Sequence, residues 1–161
     1  MNPLVLDWPA AAGAAVAGGK GWQLGRMARL GVPVPDGFVL AAEASLSRNH
    51  GDAVPDTVLA AIAQALAARG WQNTPLAVRS SAPQEDSARR SFAGIHETRL
   101  NVIGVQALAE AVRAVWDSAY APQALAYRER LASTPPIWRW PWSSCRCCRQ
   151  WPQASRSPAT P

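Results

Sequence analysis

A chain of 161 residues, 48% of them apolar and 17% charged, can build one domain with a core and is too short for a multidomain enzyme. No apolar run approaches the roughly 18 residues of a membrane-spanning helix, and Asp7 interrupts an Ala-rich start that has no basic leader, so neither a membrane nor a signal peptide is expected and the location reads as cytoplasmic. The net charge of +5 is uneven: residues 1–135 hold twelve cations against eleven acids, and the excess is Arg139, Arg146, Arg149 and Arg156, so the body has no basic surplus that would point to nucleic acid.

Residues 1–16 read as an N-terminal segment. From Gly18 to Gly31, GGKGWQLGRMARLG opens on a flexible glycine turn and continues as a helix with Leu24, Met27, Ala28 and Leu30 on its apolar face. A helix start preceded by glycines suits an anion, because its first backbone N–H groups have no partners within the helix. The prolines of Val32–Pro35 end this helix and force extended backbone. Gly37–Leu40 then reads as a strand and Ala41–Asn49 as a polar helix.

Asp56 or Thr57 can cap a helix that runs to about Arg69, with Val58, Ile62, Ala65 and Leu66 on one face and Gly70 as its stop. Leu76–Val78 is a buried strand that delivers Arg79, Ser80 and Ser81 at its end, followed by a polar loop over Ala82–Arg90. His96–Val102 alternates as a strand. Gly104 separates it from a helix with Val105, Leu108, Ala109, Val112, Val115 and Trp116 on a single stripe, and a last helix runs from about Pro122 to Leu131.

Beyond Leu131 the text changes character. STPPIWRWPWSSCRCCRQWPQASRSPATP has neither helical nor strand period and concentrates Trp, Cys, Pro and Arg, so residues 132–161 are expected to be a disordered tail that builds no core. Its arginines and Trp138, Trp140, Trp142 and Trp151 could grip phosphates and stack on bases. Cys145, Cys147 and Cys148 are a weak zinc signal, and their odd number does not suit a closed disulfide framework. Such a composition results when a GC-rich coding sequence is read out of frame, because shifted codons fall on TGG, TGC, CGG and CCG. Writing Pro136–Pro161 in GC-biased codons and moving the frame by two bases yields DLAMAVVVVQVLPAVASGVAFTCDP, a Val-rich strand followed by a glycine-containing turn into another strand. The tail is therefore read as aberrant and frameshift-like, with a genuine disordered tail as the alternative.

Three segments carry a family resemblance: GGKGWQLGRMARLGVPVPDGFVLAAEA at Gly18–Ala44, LAVRSSAPQED at Leu76–Asp86 and SFAGIHETRLNV at Ser91–Val102. Their order and spacing resemble the N-terminal PEP/pyruvate-binding domain of the phosphoenolpyruvate synthase and pyruvate phosphate dikinase family, over about residues 17–131. The shifted tail adds VVVQ and SGVAFT-x-DP, which are similar to that family's next segments. The resemblance implies an α+β fold, the first subdomain of an ATP-grasp type domain in which ATP lies between two subdomains. It also implies ATP-driven phosphoryl transfer, through a phosphohistidine, onto pyruvate or another acceptor, with Mg2+ as the expected metal.

Lys20, the one lysine of the sequence, sits among Gly18, Gly19 and Gly21. Glycines let backbone approach phosphate oxygens while an ammonium neutralises their charge, and the spacing is not that of a Walker loop. A surface lysine is the plain alternative, and the resemblance implies nucleotide phosphate binding. Arg79 follows an apolar strand and precedes two hydroxyls, where a guanidinium can hold phosphate bidentately. A salt bridge to Glu85 or Asp86 is its plain alternative. The resemblance implies a phosphate contact for Arg79, support from Ser80 and Ser81, and nucleotide contacts for Gly94 and Thr98. Ile95 and His96 stand where the family usually has two glutamines. His50 and His96 are not expected to be phosphohistidines, because the resemblance implies that this group lies in a separate domain.

No catalytic or metal-binding residue is assigned within the chain. The acidic metal ligands of such a domain would follow the frameshift, so this polypeptide is expected not to complete the reaction alone. A fragment of a rifampin-type antibiotic phosphotransferase is one alternative. A non-catalytic nucleotide- or nucleic-acid-binding fragment is another.

Overall fold

The computed structural model describes residues 4–8, 13–46, 49–81, 86–87, 90–91, 97–131 and 144–149. Side-chain alternation along the strands decides how the layers form. In the first strand, β1 (Val5–Asp7), Val5 faces one core and Leu6 another. The same alternation runs through β2 (Gly37–Leu40) and β3 (Leu76–Ser81). On one side, Phe38, Leu40, Leu76 and Val78 pack with Val58, Ile62 and Leu66 of α3 (Asp56–Arg69) and with Leu108, Val112, Val115 and Trp116 of α4 (Gly104–Ser118). On the other side, Leu6 and Val39 pack with Trp8 and with Ala17, Leu24 and Ala28 of α1 (Ala14–Arg29). The result is an α+β arrangement with helices on both faces of one sheet, since each apolar strand face needs a layer to bury it.

The sheet order is β1-β2-β7-β3-β6, with every pairing antiparallel. In β6 (Thr98–Val102) at one edge, the register against β3 shifts between Leu76 and Val78. Asn101 takes up the irregularity with φ 57, a left-handed conformation that asparagine tolerates better than most residues. A separate pair of two-residue strands, β4 (Asp86–Ser87) and β5 (Arg90–Ser91), lies between β3 and β6 in sequence.

Most helices follow the expected pattern, with differences that have local causes. Helix α1 begins at Ala14, earlier than the glycine turn, and is broken at Gly18 rather than started there. Met27 and Leu30 are exposed, because α1 meets the sheet only through Leu24 and Ala28 near its end. Of the polar helix expected over Ala41–Asn49, α2 (Glu43–Leu46) is described; it starts two residues late because Ala41 and Ala42 are buried as β2 leaves the sheet, and residues 47–48 lie outside the described ones. Neither Asp56 nor Thr57 caps α3. The cap position is Pro55, whose fixed φ of −59 leads into the helix, while Gly70 closes the helix in the left-handed region. Helix α4 buries all of its expected stripe except Val105, which is half-buried against the same core. Helix α5 (Pro122–Leu131) has the bounds read from sequence. Among the described residues, no helix is long and apolar enough to cross a membrane.

The tail departs most from expectation. Six of its residues form β7 (Ser144–Arg149), the central strand between β2 and β3, so the expectation of disorder is corrected for this stretch. The physical reason is that β2 and β3 each present an edge of backbone N–H and C=O groups that must be paired. A backbone ladder makes no demand on side-chain identity, so an extended segment without strand periodicity can fill the gap. The remaining tail residues lie outside the described ones.

Candidate functional site

The site is built from the break in α1. Gly18 adopts φ 68 and ψ 171, so the helical path is interrupted and starts again over Gly19–Gly21. A side chain would make that backbone conformation costly. The renewed start is tied to β3 by one hydroxyl: the Gly21 N–H donates to Ser81 Oγ at 2.8 Å, and the Ser81 O–H donates to the Ala17 carbonyl at 2.9 Å. Ser81 is fully buried, so these bonds are made away from water. Gly21 permits the close approach, because a Cβ there would stand 3.0 Å from Val39 Cγ2 and 3.3 Å from Ala17 Cβ. Lys20 therefore sits, half-buried, in a turn held directly on the sheet.

Arg79 lies two residues before Ser81 on the same side of β3, about 6–7 Å along the strand. It is exposed, whereas Val78 and Ser80 beside it are buried. Thr98 is its register partner on β6 and is also exposed. The turn of Lys20, the guanidinium-bearing Arg79 and the hydroxyl-bearing Thr98 thus share the α1 face of the sheet. On the other side of Arg79, its partner in β7 is Arg146, so the row Thr98, Arg79, Arg146 holds two arginines.

Other expected residues separate from this cluster. Ser81 is a buried clamp rather than a group open to a ligand. Gly94, His96 and Glu85 lie outside the described residues. His50 is exposed, with its ring 4.9 Å from that of Tyr120, in a loop that Gly51 ties to α4 by donating to Asp117 Oδ1 at 3.2 Å. An open groove of about 580 Å³, lined by Val54, Leu59, Arg99, Leu100 and Glu110 among others, lies on the α3 and α4 side, opposite the Lys20 turn. The break within α1 and the tie from Ser81 were not read from the sequence. The available signal was a second hydroxyl after an apolar strand, which only pairing with a helix could interpret.

Comparison with known proteins identifies the family of most of the described core. The family model described as "Pyruvate phosphate dikinase, AMP/ATP-binding domain" matches residues 46–135, a span that includes Arg79, Gly94 and Thr98 and leaves Lys20 outside. A rifampicin phosphotransferase of Streptomyces sviceus is 36% identical over 152 aligned positions, covering 72% of this chain and 17% of the relative. A probable phosphoenolpyruvate synthase of Methanocaldococcus jannaschii is 31% identical, covering 71% of this chain and 13% of the relative. A phosphoenolpyruvate synthase of Aeropyrum pernix is also 31% identical, with 72% and 19% covered. The chain thus spans less than a fifth of the length of these relatives. On the matched domain, the chain belongs to the pyruvate phosphate dikinase AMP/ATP-binding domain family.

Proposed function

We propose that the chain supplies part of the ATP site of a phosphoenolpyruvate synthase or pyruvate phosphate dikinase-like phosphotransferase, in a domain of the ATP-grasp type. Lys20 and Arg79 hold nucleotide phosphates, Thr98 donates its hydroxyl to a phosphate or ribose oxygen, and Gly94 allows close approach of the nucleotide. The observation that carries this reading is the common sheet face of the Lys20 turn, Arg79 and Thr98, with Gly21 and Arg79 linked through Ser81 and the strand. An ammonium and a guanidinium with a hydroxyl nearby suit a polyanion, and catalysis of phosphoryl transfer rests mostly on positioning and charge neutralisation.

ATP brings magnesium with it in such chemistry. Its acidic ligands in such a domain would follow the out-of-frame point, so no ligand to Mg2+ is assigned in this chain. The complete enzyme would pass the phosphoryl group to pyruvate, and a cytoplasmic location accords with use of ATP. The Streptomyces relative supports a second reading in which the acceptor is an antibiotic of the rifampicin type. Residues 132–161 are encoded out of frame on this account. Their composition supports this, as does the end of the family match at residue 135. Resequencing the DNA around codons 130–137 tests it, and an unshifted frame there would overturn it.

Calorimetric titration of the chain with ATP tests the nucleotide reading. Substituting Lys20→Ala is expected to weaken binding by roughly tenfold or more, the scale of one charge-assisted hydrogen bond of about 1.5–3 kcal/mol. Equal affinity in the variant would remove Lys20 from the site.

A further inference from the structure

The Ser81 hydroxyl makes hydrogen bonds on both sides of a helix break. Its O–H reaches the Ala17 carbonyl before Gly18, and its Oγ accepts from the Gly21 N–H after it. Both bonds are buried, and a Cβ at Gly21 would stand only 3.0 Å from Val39 Cγ2. An intact helix would satisfy the Gly21 N–H with the carbonyl four residues earlier, which is that of Ala17. The conformation of Gly18 interrupts this path, and the serine hydroxyl is inserted between the same donor and acceptor. Ser81 thus stands in for the bond of one helical turn while belonging to the strand that carries Arg79.

We propose that Ser81 is a positioning residue for the phosphates: by bridging Ala17 and Gly21 it sets the Lys20 turn at a fixed distance from Arg79 on β3. This rests on the nucleotide reading above and adds a role for a residue that cannot itself touch the ligand. The buried hydroxyl determines which backbone N–H groups of the turn remain open. The Gly21 N–H is consumed by Ser81, so an anion would meet the earlier N–H groups of the renewed helix start, adjacent to Lys20. The clamp also predicts a specific separation of effects. Loosening it should harm recognition of the phosphates and leave recognition of the base and sugar unchanged.

The test uses the whole chain as Ser81→Ala and Ser81→Cys, two variants of similar small volume in which the hydroxyl is lost or replaced by a weak thiol donor. Amide hydrogen exchange is followed residue by residue, and ATP and adenosine are titrated separately. The expected result is at least tenfold faster exchange at Gly21, with unchanged exchange in α3 and α4. ATP affinity should fall roughly tenfold, the scale of one lost buried hydrogen bond, while adenosine affinity stays as in the wild type. Unchanged exchange at Gly21 in both variants would overturn the clamp. Equal losses for ATP and adenosine would overturn the positioning role and leave a merely structural serine. A wild-type chain that takes up ATP no better than adenosine would overturn the phosphate reading and the positioning role with it, whereas ATP binding that both variants leave intact would overturn the positioning role alone.

Discussion

Arg79 and Arg69 show how differently one residue type is used in this fold. Arg69, at the end of α3, lies over the rings of Phe38 at 5.0 Å and Trp71 at 5.7 Å, donates to the Ala65 carbonyl at 2.9 Å and pairs with Asp7. Its side chain is mostly covered, and Asp7 is nearly half exposed, so the packing of the guanidinium outweighs the screened ion pair. Arg69→Ala is therefore expected to lower stability in urea by about 1–2 kcal/mol, and Asp7→Ala by less than about 1 kcal/mol. Equal losses would mean that the ion pair, rather than the packing, holds α3 to β1. Arg79, by contrast, is exposed beside buried neighbours, so its replacement should leave stability within about 0.5 kcal/mol. Arg79→Lys should still weaken ATP binding several-fold in calorimetry, because an ammonium cannot reproduce a bidentate contact. Gly21→Ala should cost about 1 kcal/mol in urea unfolding in spite of alanine's better helix propensity, since the new methyl meets Val39 at 3.0 Å. Stabilisation by that substitution would show that α1 has room to move.

At the level of elements, legibility followed local sequence. Helices α3, α4 and α5 could be read because their stripes and stop signals lie within a few residues of one another. Strands β2, β3 and β6 could be read from short apolar or alternating runs between prolines and glycines. The first strand and the central one could not. Val5–Asp7 is only three residues long, and β7 is set by the pairing needs of two distant edges rather than by its own pattern.

For the whole molecule, the described residues place a core with α3 and α4 on one face of the sheet and α1 on the other. Of the residues singled out for nucleotide binding, the Lys20 turn, Arg79 and Thr98 lie on that second face, and the family match spans Arg79 and Thr98. Lys20 and Arg79 could be proposed from their neighbours in sequence, whereas their common face could not, because 58 intervening residues have no spacing rule that fixes the distance between a helix turn and a strand. Titration of isotopically labelled chain with ATP to millimolar concentration, followed by amide chemical shifts, is the most direct measurement. The account predicts that shifts concentrate at Gly19–Gly21, Arg79 and Thr98, with the groove between α4 and β6 unaffected. Shifts confined to that groove, or none on the α1 face, would contradict it.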